Sequence, residues 1–415
     1  MNNVRVAVTG MGAVTPIGIG VKSFWNGVVD GVCGIRPITH FDASSYPSQF
    51  AGMVEDFDPT GIMAERLIKH TSRYEQFALV AMAEAMAQSG LVINDDNAYE
   101  VAVVTGTGVG GFETPTQNHD ILRLKGVEKL DPYMIIKMIA DGASSNLSIT
   151  YGAKGPKFAA VAACASSTIA IGEAYEIIKR GDAVAAITGG SEAAVTDLGL
   201  GSFVAARALS QRNDNPAQSS RPFDKSRDGM VMSEGAAIFV LEEMGVAIER
   251  GARILAEVVG YGNTSDAYNT VLPDPTGEGA ARAMMIALGK ADLEPDHIDY
   301  ISAHGTSTKA GDPAEALALR RVFADRFAPP PVSSIKGQIG HTLGASGAIA
   351  LVASIKAMET RTIPPTINLE SVDPACEGLD HVANTARVCG THLHNSMVNS
   401  FGFGGHNATL IVARP

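Results

Sequence analysis

The stretch from Lys157 to Gly181 reads KFAAVAACASSTIAIGEAYEIIKRG, and the rest of the chain is organised around it. It begins with an apolar run up to Ala163, which is typical of a buried strand. From Ser166 onward, apolar residues recur at helical spacing until Gly181 ends the pattern. The sequence therefore predicts a strand that leads directly into a helix, with Cys164 at the junction.

A cysteine at such a junction lies at the positive end of the helix dipole, among backbone N–H groups that have no partner in the helix. This position lowers the pKa of a thiol and favours a nucleophile. The alternative is a small thiol that packs in the core, because free cysteines are among the most buried residues. The position of Cys164 alone leaves both interpretations open.

Composition indicates a compact α/β enzyme. With 415 residues, the chain is long enough for two core-forming domains or one large duplicated domain. Apolar residues make up 46% of it and charged residues 18%, with 44 glycines, which argues against disorder. The formal net charge of −12 disfavours nucleic acid or an anionic membrane as the main partner.

The cysteines and the N-terminal sequence predict a cytoplasmic protein. The four cysteines have neither a CxxC pair nor metal-ligand spacing, which indicates a reducing compartment. The apolar stretch around Cys164 is interrupted by Ser and Thr and is shorter than the ~20 residues of a spanning helix. The N-terminus begins as a strand and lacks the basic-then-apolar pattern of a leader peptide.

Predicted strands and helices alternate along the chain, which favours mainly parallel sheets covered by helices on both faces. Helices are predicted at 65–86, 166–180, 277–290 and 347–360, and strands at 4–9, 101–105, 158–163, 183–188, 237–241, 254–261, 298–303, 331–336 and 408–413. No composition break marks a linker. We therefore predict two similar halves packed as one unit, an N-terminal half at 1–250 and a C-terminal half at 251–415.

Two glycine-rich segments follow predicted strands. The segment Gly10–Pro16 is turn-rich and supplies only half of a dinucleotide fingerprint, whereas Gly106–Gly111 contains a literal GxGxxG. A nucleotide site is still not predicted, because Phe112–Pro115 does not open the helix whose N-terminus would hold a pyrophosphate. We predict instead a loop whose glycines let other parts of the chain approach closely.

Two histidines stand where loops leave predicted strands, His304 within AHGTST and His341 within GHTLG. Ligands bind at the carboxyl ends of strands in α/β folds, and the neighbouring glycines allow close approach. Together with Cys164 these histidines also permit a zinc site, but no fourth ligand and no ligand spacing accompany them. They are therefore candidates for catalysis rather than for metal binding.

Six segments, in the same order and spacing, closely resemble the β-ketoacyl-acyl-carrier-protein synthases of the type II, elongating class. They are Ala162–Ser167, Ser220–Gly235, Ala303–Asp312, Lys336 with Gly340–His341, Pro364–Leu369 and Asn399–Gly405. The resemblance implies the thiolase fold, an internally duplicated, five-layered α/β/α/β/α structure that works as a dimer. It also implies an acyl carrier protein as partner, substrates carried on its phosphopantetheine, and no other cofactor or metal.

The resemblance implies a decarboxylative Claisen condensation in fatty acid, type II polyketide or polyene biosynthesis. Cys164 would accept the acyl chain from a carrier-protein thioester. His304 and His341 would hydrogen-bond the malonyl thioester carbonyl as carbon dioxide leaves, with Lys336 completing the catalytic set. The acyl oxygen would lie against the backbone N–H groups of Cys164 and Phe403, and Phe403 also matches the gating phenylalanine of the family.

Further residues match binding positions of the family. Thr306 and Thr308 match its pantetheine contacts, and Val109 and Phe203 match acyl-pocket positions. We further expect exposed cations to dock an acidic carrier protein on this otherwise acidic surface. The candidates are Arg66, Lys69, Arg73, Arg207 and Arg212.

Related classes differ at positions that the sequence shows. A thiolase would have a second catalytic cysteine in its C-terminal glycine-rich segment, and this chain has none there. Initiating and chalcone-type enzymes have an asparagine where this chain has His341. Chain-length factors lack the nucleophile, which is present here as Cys164. The alternative that stays open is a non-condensing chain-length or scaffold partner in a ketosynthase heterodimer.

One departure from the family bears on the kind of synthase and keeps that alternative open. Nine residues after His341 the family usually has a glutamate, paired with the lysine that matches Lys336, and this chain has Ala350. An unpaired buried lysine would lose its proton or find another partner, such as Asp312 or Glu315. The departure favours a specialised synthase, for example in a type II polyketide or polyene pathway, as a homodimer or with a non-identical partner.

Overall fold

The computed structural model describes residues 4–324, 328–391 and 393–415. The strands are β1 (Val6–Thr15), β2 (Gly18–Ile19), β3 (Ile35–Pro37), β4 (Phe50–Gly52), β5 (Val101–Gly106), β6 (Lys157–Ala160), β7 (Ala185–Glu192), β8 (Gly235–Glu243), β9 (Ala256–Ser265), β10 (Tyr300–Ser302), β11 (Pro331–Ser333), β12 (Thr362–Ile363), β13 (Asp380–His381), β14 (Arg387–Val388), β15 (Asn395–Gly402) and β16 (His406–Ala413). The helices are α1 (Val21–Val29), α2 (Glu65–His70), α3 (Arg73–Ser89), α4 (Glu113–Lys125), α5 (Met134–Met138), α6 (Gly142–Tyr151), α7 (Ser166–Arg180), α8 (Asp197–Ala205), α9 (Met244–Glu249), α10 (Glu278–Ala291), α11 (Gly311–Val322), α12 (Lys336–Ile339) and α13 (Ser346–Thr360).

The main strands form two copies of one five-stranded arrangement. Hydrogen-bonded neighbours follow the order β6-β5-β7-β8-β1 in the first copy and β11-β10-β15-β16-β9 in the second. Antiparallel pairing between β1 and β9 joins the two copies. The predicted duplication is therefore present. The sheets are mixed rather than mainly parallel, because β8 and β16 run antiparallel to both of their neighbours. The chain returns antiparallel after β7, through a connection that contains α8, and after β15, through a short turn.

The helices complete five layers. Helices α7 and α13 lie between the two copies of the sheet, in one core that includes Ile171 and Ile349. Helix α3 covers the outer face of the first copy with residues such as Phe77, and α10 covers the second with residues such as Met284. Burial of each such side chain contributes about 1.5–3 kcal/mol of stabilisation. This is the α/β/α/β/α arrangement that the resemblance implies.

The first strand is longer than predicted, because Gly10 and Gly12 lie inside β1 and not in a turn. A Cβ atom on Gly10 would lie 2.1 Å from the carbonyl oxygen of Ala85, and one on Gly12 would lie 1.9 Å from that of Ala81. Both carbonyls belong to α3. These glycines therefore let a helix approach the strand closely, which is why they resemble part of a dinucleotide fingerprint.

The helix predicted at 65–86 is two helices, α2 and α3. The backbone is extended at Thr71 and Ser72. Ser72 and Glu75 then form a capping box, in which the backbone N–H of Ser72 donates to the Glu75 carboxylate at 2.5 Å. The sequence does contain this S-x-x-E signal, which marks a helix start inside an otherwise continuous pattern.

The segment after the GxGxxG motif does open a helix, α4, so the prediction for it was wrong. Glu113 is the first residue of α4, and its carboxylate accepts a hydrogen bond from the backbone N–H of Arg73 at 3.1 Å. The N–H groups of Gly108 and Val109 donate to the Glu192 carboxylate at 2.6 and 3.3 Å. A carboxylate of the chain itself thus accepts the hydrogen bonds of these amides. The predicted close approach of other chain segments to the loop is confirmed.

The longest helix, α3, has 17 residues. In the described parts of the chain, no helix combines the length and the apolar composition that crossing a bilayer requires.

Candidate active site

Cys164 lies in the turn between β6 and α7. Ala163 has a left-handed backbone, with φ of 48°, and a 3₁₀ turn over Ala163–Ala165 leads into α7 at Ser166. The Ser166 hydroxyl accepts a hydrogen bond from the N–H of Ala162 at 2.9 Å and donates to the carbonyl of Ala163 at 2.6 Å. A left-handed residue other than glycine is strained, and such strain occurs where it serves a site. The turn holds Cys164 at the helix start, as predicted.

The thiol of Cys164 is buried, and burial raises its pKa to about 12. The ammonium group of Lys336 and the backbone N–H groups of Phe403 and Cys164 oppose this rise, while the charge of Glu192 adds to it. The prediction of a lowered thiol pKa is therefore wrong, because desolvation outweighs the helix start. The two N–H groups near the sulfur are those that the resemblance assigns to the acyl oxygen.

The rings of His304 and His341 meet edge to face, with centroids 5.4 Å apart and planes at 84°. The Glu315 carboxylate fixes the loop after β10, accepting hydrogen bonds from the N–H groups of His304 and Gly305 at 2.8 and 2.7 Å. The backbone N–H of His341 donates to the carbonyl of Val231 at 2.7 Å. Among the described residues, Nδ1 of His304 and both ring nitrogens of His341 lack a hydrogen-bond partner. These nitrogens are available to a ligand.

Burial and the charge of Lys336 together determine the protonation of the two histidines. Burial is the larger cause and the ammonium group of Lys336 the next, and they lower the pKa of His304 and of His341 well below 6.5. Both imidazoles are therefore neutral near pH 7. Burial lowers the pKa of Lys336 itself to about 8, opposed mainly by the charge of Glu315. Burial raises the pKa of Glu315 to about 7. Asp312 has a smaller effect on Lys336.

Cys164, His304 and His341 line one cavity of about 310 Å³. They reach it from three different connections, β6 to α7, β10 to α11 and α12 to α13. The predicted pantetheine and gating residues line the same cavity, namely Thr306, Thr308 and Phe403. The hydroxyl oxygens of Thr306 and Thr308 lie 3.0 Å apart. The structure thus brings together a thiol, two neutral imidazoles and a pair of hydroxyls.

The two predicted acyl-pocket residues are not part of this cavity wall. Phe203 lies beside it, with its ring centroid 6.2 Å from that of Phe403, and packs against an apolar cluster that contains Cys164 and Leu343. Val109 is 40% exposed and lies on the glycine-rich loop after β5. Phe203 therefore belongs to the apolar surroundings of Cys164, whereas Val109 lies at the surface of the single chain.

Three of the five predicted docking cations are exposed. They are Arg66, Lys69 and Arg207. Arg207 also lines the cavity that contains Cys164. Lys69 forms an ion pair with Glu65 one helical turn away, at 2.7 Å, and both side chains remain largely exposed. All three are accessible to a partner.

The other two predicted cations are engaged within the protein. Arg73 forms an ion pair at 2.7 Å with Glu234, whose side chain is buried, and its guanidinium carbon lies 4.7 Å from the ring centroid of Phe77. Arg212 forms a longer ion pair with Asp228, at 3.4 Å. The charge of Arg73 is committed to the interior, so its placement does not support a docking role.

Two residues at the site were not predicted from the sequence. The ring of Phe401 lies 5.6 Å from that of His304. Glu192 is fully buried and binds backbone N–H groups of two loops. The sequence does contain a signal for each. Phe401 opens the FGFGG segment, and Glu192 closely follows two glycines at the end of a predicted strand.

The zinc interpretation has no support from the arrangement of side chains. Within residues 4–324, 328–391 and 393–415, no three His, Cys, Asp or Glu side chains are grouped as metal ligands.

Family models and curated relatives match this chain over nearly its whole length. The model described as "Beta-ketoacyl synthase, N-terminal domain" matches residues 3–247, and "Beta-ketoacyl synthase, C-terminal domain" matches residues 255–370. The 3-oxoacyl-[acyl-carrier-protein] synthase 2 of Coxiella burnetii is 45% identical over 414 residues, covering 100% of this chain and 99% of the relative. The enzyme of the same name from Synechocystis is 46% identical over 406 residues, covering 98% and 97%.

Solved structures show the same similarity. The ishigamide ketosynthase/chain length factor superposes with a TM-score of 0.92 at 35% identity, covering both chains completely. A β-ketoacyl synthase from Burkholderia phymatum has a TM-score of 0.92 at 34% identity, covering 99% of this chain and 100% of that one. A type II polyketide synthase acyl-carrier protein in complex with its ketosynthase, bound to the hexaketide, has a TM-score of 0.89 at 31% identity, with complete coverage of both chains.

Proposed function

Because this chain belongs to the β-ketoacyl synthase family, we propose that it condenses an enzyme-bound acyl group with malonyl-acyl-carrier protein. The products are a β-ketoacyl-carrier protein and carbon dioxide. The observation that carries the proposal is the single cavity lined by Cys164, His304 and His341. We also propose the boundary between the two halves near residue 250.

In the first half-reaction, the sulfur of Cys164 attacks the thioester carbonyl of the acyl-carrier protein. A bond forms between this sulfur and the acyl carbon, and the bond from that carbon to the pantetheine sulfur breaks. The proton of the resting thiol leaves with the pantetheine thiol, and the neutral His341 in the same cavity relays it. The N–H groups of Cys164 and Phe403 stabilise the negative charge that develops on the acyl oxygen.

In the second half-reaction, malonyl-carrier protein replaces the released carrier, so the kinetics are ping-pong. Its carboxylate leaves as carbon dioxide, and the electron pair forms an enolate whose oxygen His304 and His341 stabilise by hydrogen bonding. The enolate carbon attacks the acyl carbon, and the thiolate of Cys164 leaves and regains a proton. The ring nitrogens of the two histidines that have no partner among the described residues support this assignment.

The substrates are thioesters on the phosphopantetheine of an acyl carrier protein. Thr306 and Thr308 contact the pantetheine arm, and Phe203 and Val109 shape the acyl pocket. Exposed cations, Arg207 among them, receive the acidic carrier. The protein functions as a dimer, with a second copy or with a homologue such as the chain length factor of the ishigamide system.

Stepwise acylation tests the reaction. The purified chain is incubated with an acyl-carrier protein, and the mass of the peptide that contains Cys164 is measured with and without prior iodoacetamide treatment. Malonyl-carrier protein is then added, and carbon dioxide and the β-ketoacyl product are measured. We expect acylation at Cys164 followed by product. Failure to acylate Cys164 would favour a non-condensing chain-length or scaffold partner.

The presence of Ala350 supports a specialised pathway, because the lysine that the family pairs with glutamate is here influenced by Glu315 instead. We propose that the natural acyl chains are polyketide- or polyene-like. The same assay with saturated and polyunsaturated acyl groups tests this substrate class. Efficient elongation of ordinary saturated chains by the protein alone would count against it.

A further inference from the structure

The turn that carries Cys164 has a counterpart in the second half of the chain. Leu343 has a left-handed backbone with φ of 46°, close to the 48° of Ala163. Each of these residues begins a three-residue 3₁₀ turn, and each turn leads into a 15-residue helix, α7 or α13. Cys164 is the middle residue of the first turn, and Gly344 is the middle residue of the second. The position of Gly344 therefore corresponds to that of the nucleophile.

The strands beside the two turns also correspond. Strand β7 lies between β5 and β8, β15 lies between β10 and β16, and both have eight residues. The last residue of β15 is Gly402, where a Cβ atom would lie 3.1 Å from the backbone nitrogen of Cys164. The last residue of β7 is Glu192. A glycine thus leaves room beside the amide of Cys164, whereas a long side chain occupies the corresponding place beside Gly344.

The carboxylate of Glu192 fills this second site. Its Oε2 atom accepts hydrogen bonds from the N–H groups of Gly108 at 2.6 Å and Gly344 at 2.9 Å. Its Oε1 atom accepts from the hydroxyl of Thr107 at 2.9 Å and the N–H of Val109 at 3.3 Å. A Cβ atom on Gly108 or on Gly344 would lie 2.7 Å from Oε2, so both loops fit closely around the carboxylate. Such donors are the kind that bind a developing oxyanion.

We propose that Glu192 is a positioning residue that takes the place of a substrate oxyanion in this second site and thereby sets the acyl-chain specificity of the enzyme. The carboxylate ties the loop that carries Val109, a proposed acyl-pocket residue, to the turn that follows His341. Val109 is thereby held in a fixed position relative to His341. This inference rests on the proposed function, because it concerns the acyl chain of that reaction.

Replacement by glutamine separates the contacts of Glu192. In Glu192→Gln, the amide oxygen retains the N–H groups of Gly108 and Gly344, while the new NH₂ group faces the N–H of Val109, which is also a donor. The hydrogen bond that holds Val109 is then lost, while Gly108 of the same loop stays bound. We expect the preference of kcat/KM between acyl chain lengths to flatten by about tenfold, the upper end of the effect of losing one hydrogen bond. Thr107→Val, which removes the other donor to Oε1, should flatten it in the same direction.

The matched control is Glu84→Gln. The carboxylate of Glu84 also accepts backbone N–H groups, from Ala13 and Val21 at 3.1 and 2.8 Å, but these belong to β1 and α1 and not to a loop that carries a proposed site residue. This variant should lower the melting temperature and leave the chain-length preference unchanged. Condensation by the wild-type chain is measured first, so that failure of the proposed function is seen separately. The inference is overturned if the wild type condenses and folded Glu192→Gln and Thr107→Val retain its length preference.

Discussion

Lys336 acts on His304 through its charge. Burial and then this ammonium group hold the pKa of His304 well below 6.5, and the same two causes act on His341. Burial also lowers the pKa of Lys336 to about 8, with Glu315 opposing the change. The cavity therefore contains two imidazoles that stay neutral through the physiological range and one cation that loses its proton just above it. A neutral imidazole donates a hydrogen bond to an enolate oxygen without giving up a proton.

The first prediction concerns the alkaline side of the pH profile. Lys336 is charged below about pH 8 and neutral above it, so the positive charge that favours the enolate disappears as the pH rises. Release of carbon dioxide from malonyl-carrier protein should therefore decrease above this pH. Lys336→Arg keeps its charge at high pH and should abolish the decrease. If the decrease persisted unchanged in Lys336→Arg, the titration of another group would be its cause.

Lys336→Met gives the complementary result. Loss of the ammonium group removes one cause of the low histidine pKa values, so the acid side of the profile should move to higher pH. The rate at neutral pH should decrease by about tenfold or more, since one charge interaction with the transition state is lost. The measurement is the pH dependence of decarboxylation, and an acid side that does not move would contradict the electrostatic link.

The nucleophile is the subject of the second prediction. Cys164→Ala should reduce condensation by about a thousandfold or more, because no acyl-enzyme forms. Decarboxylation of malonyl-carrier protein should stay within about tenfold of the wild type, since His304 and His341 still stabilise the enolate. Carbon dioxide and β-ketoacyl product are measured in the same reaction. Equal loss of both would mean that the thiol also acts in decarboxylation.

Much of the fold and of the candidate site follows from local sequence patterns. The junction at Cys164, the helix that Gly181 ends and the loops that carry His304 and His341 could all be predicted, because each depends on residues close in sequence. The raised pKa of Cys164 and the ion pair between Arg73 and Glu234 could not be predicted in this way. Both depend on distant segments, since Phe403 and Lys336 approach the thiol and Glu234 meets Arg73 only in the folded chain.

The third prediction tests the space beside the nucleophile. A Cβ atom on Gly402 would lie 2.8 Å from the carbonyl oxygen of Ala162 and 3.1 Å from the nitrogen of Cys164. Gly402→Ala should therefore displace the turn and lower kcat by about a hundredfold, the effect of a shift of roughly 1 Å in reacting groups. The control is Gly289→Ala in α10, where a Cβ atom would meet no atom of the described residues within 4 Å. Gly289→Ala should stabilise the helix by about 0.5–1 kcal/mol and leave kcat unchanged.

The fourth prediction separates structural from docking cations. Arg73→Met leaves the carboxylate of Glu234 buried without its partner, so the free energy of unfolding should fall by about 3 kcal/mol. Equilibrium denaturation measures this loss. The double variant Arg73→Met with Glu234→Gln should recover part of it, because the stranded charge is then absent. An unchanged unfolding free energy in Arg73→Met would show that the pair is not needed for stability.

The fifth prediction concerns the surface that we propose receives the carrier protein. Arg207 is exposed, lines the cavity and has a left-handed backbone with φ of 54°. Arg207→Glu should raise KM for carrier-bound substrates by about tenfold at low salt while kcat stays nearly constant, because charge at the rim of an interface acts mainly on encounter. A matched control is Arg361→Glu, since Arg361 is also exposed and has φ of 55° but lies at the far end of α13.

Two comparisons make this result specific to docking. Thioesters of pantetheine without the carrier protein should show the same KM with the wild type and with Arg207→Glu. These small substrates enter the same cavity but lack the acidic surface of the carrier protein. Added salt should reduce the difference between the two enzymes for carrier-bound substrates, since screening weakens the attraction that only the wild type has. If Arg207→Glu instead raised KM for both kinds of substrate, its side chain would contact the pantetheine arm, and the carrier would have to dock through other cations such as Arg66 and Lys69.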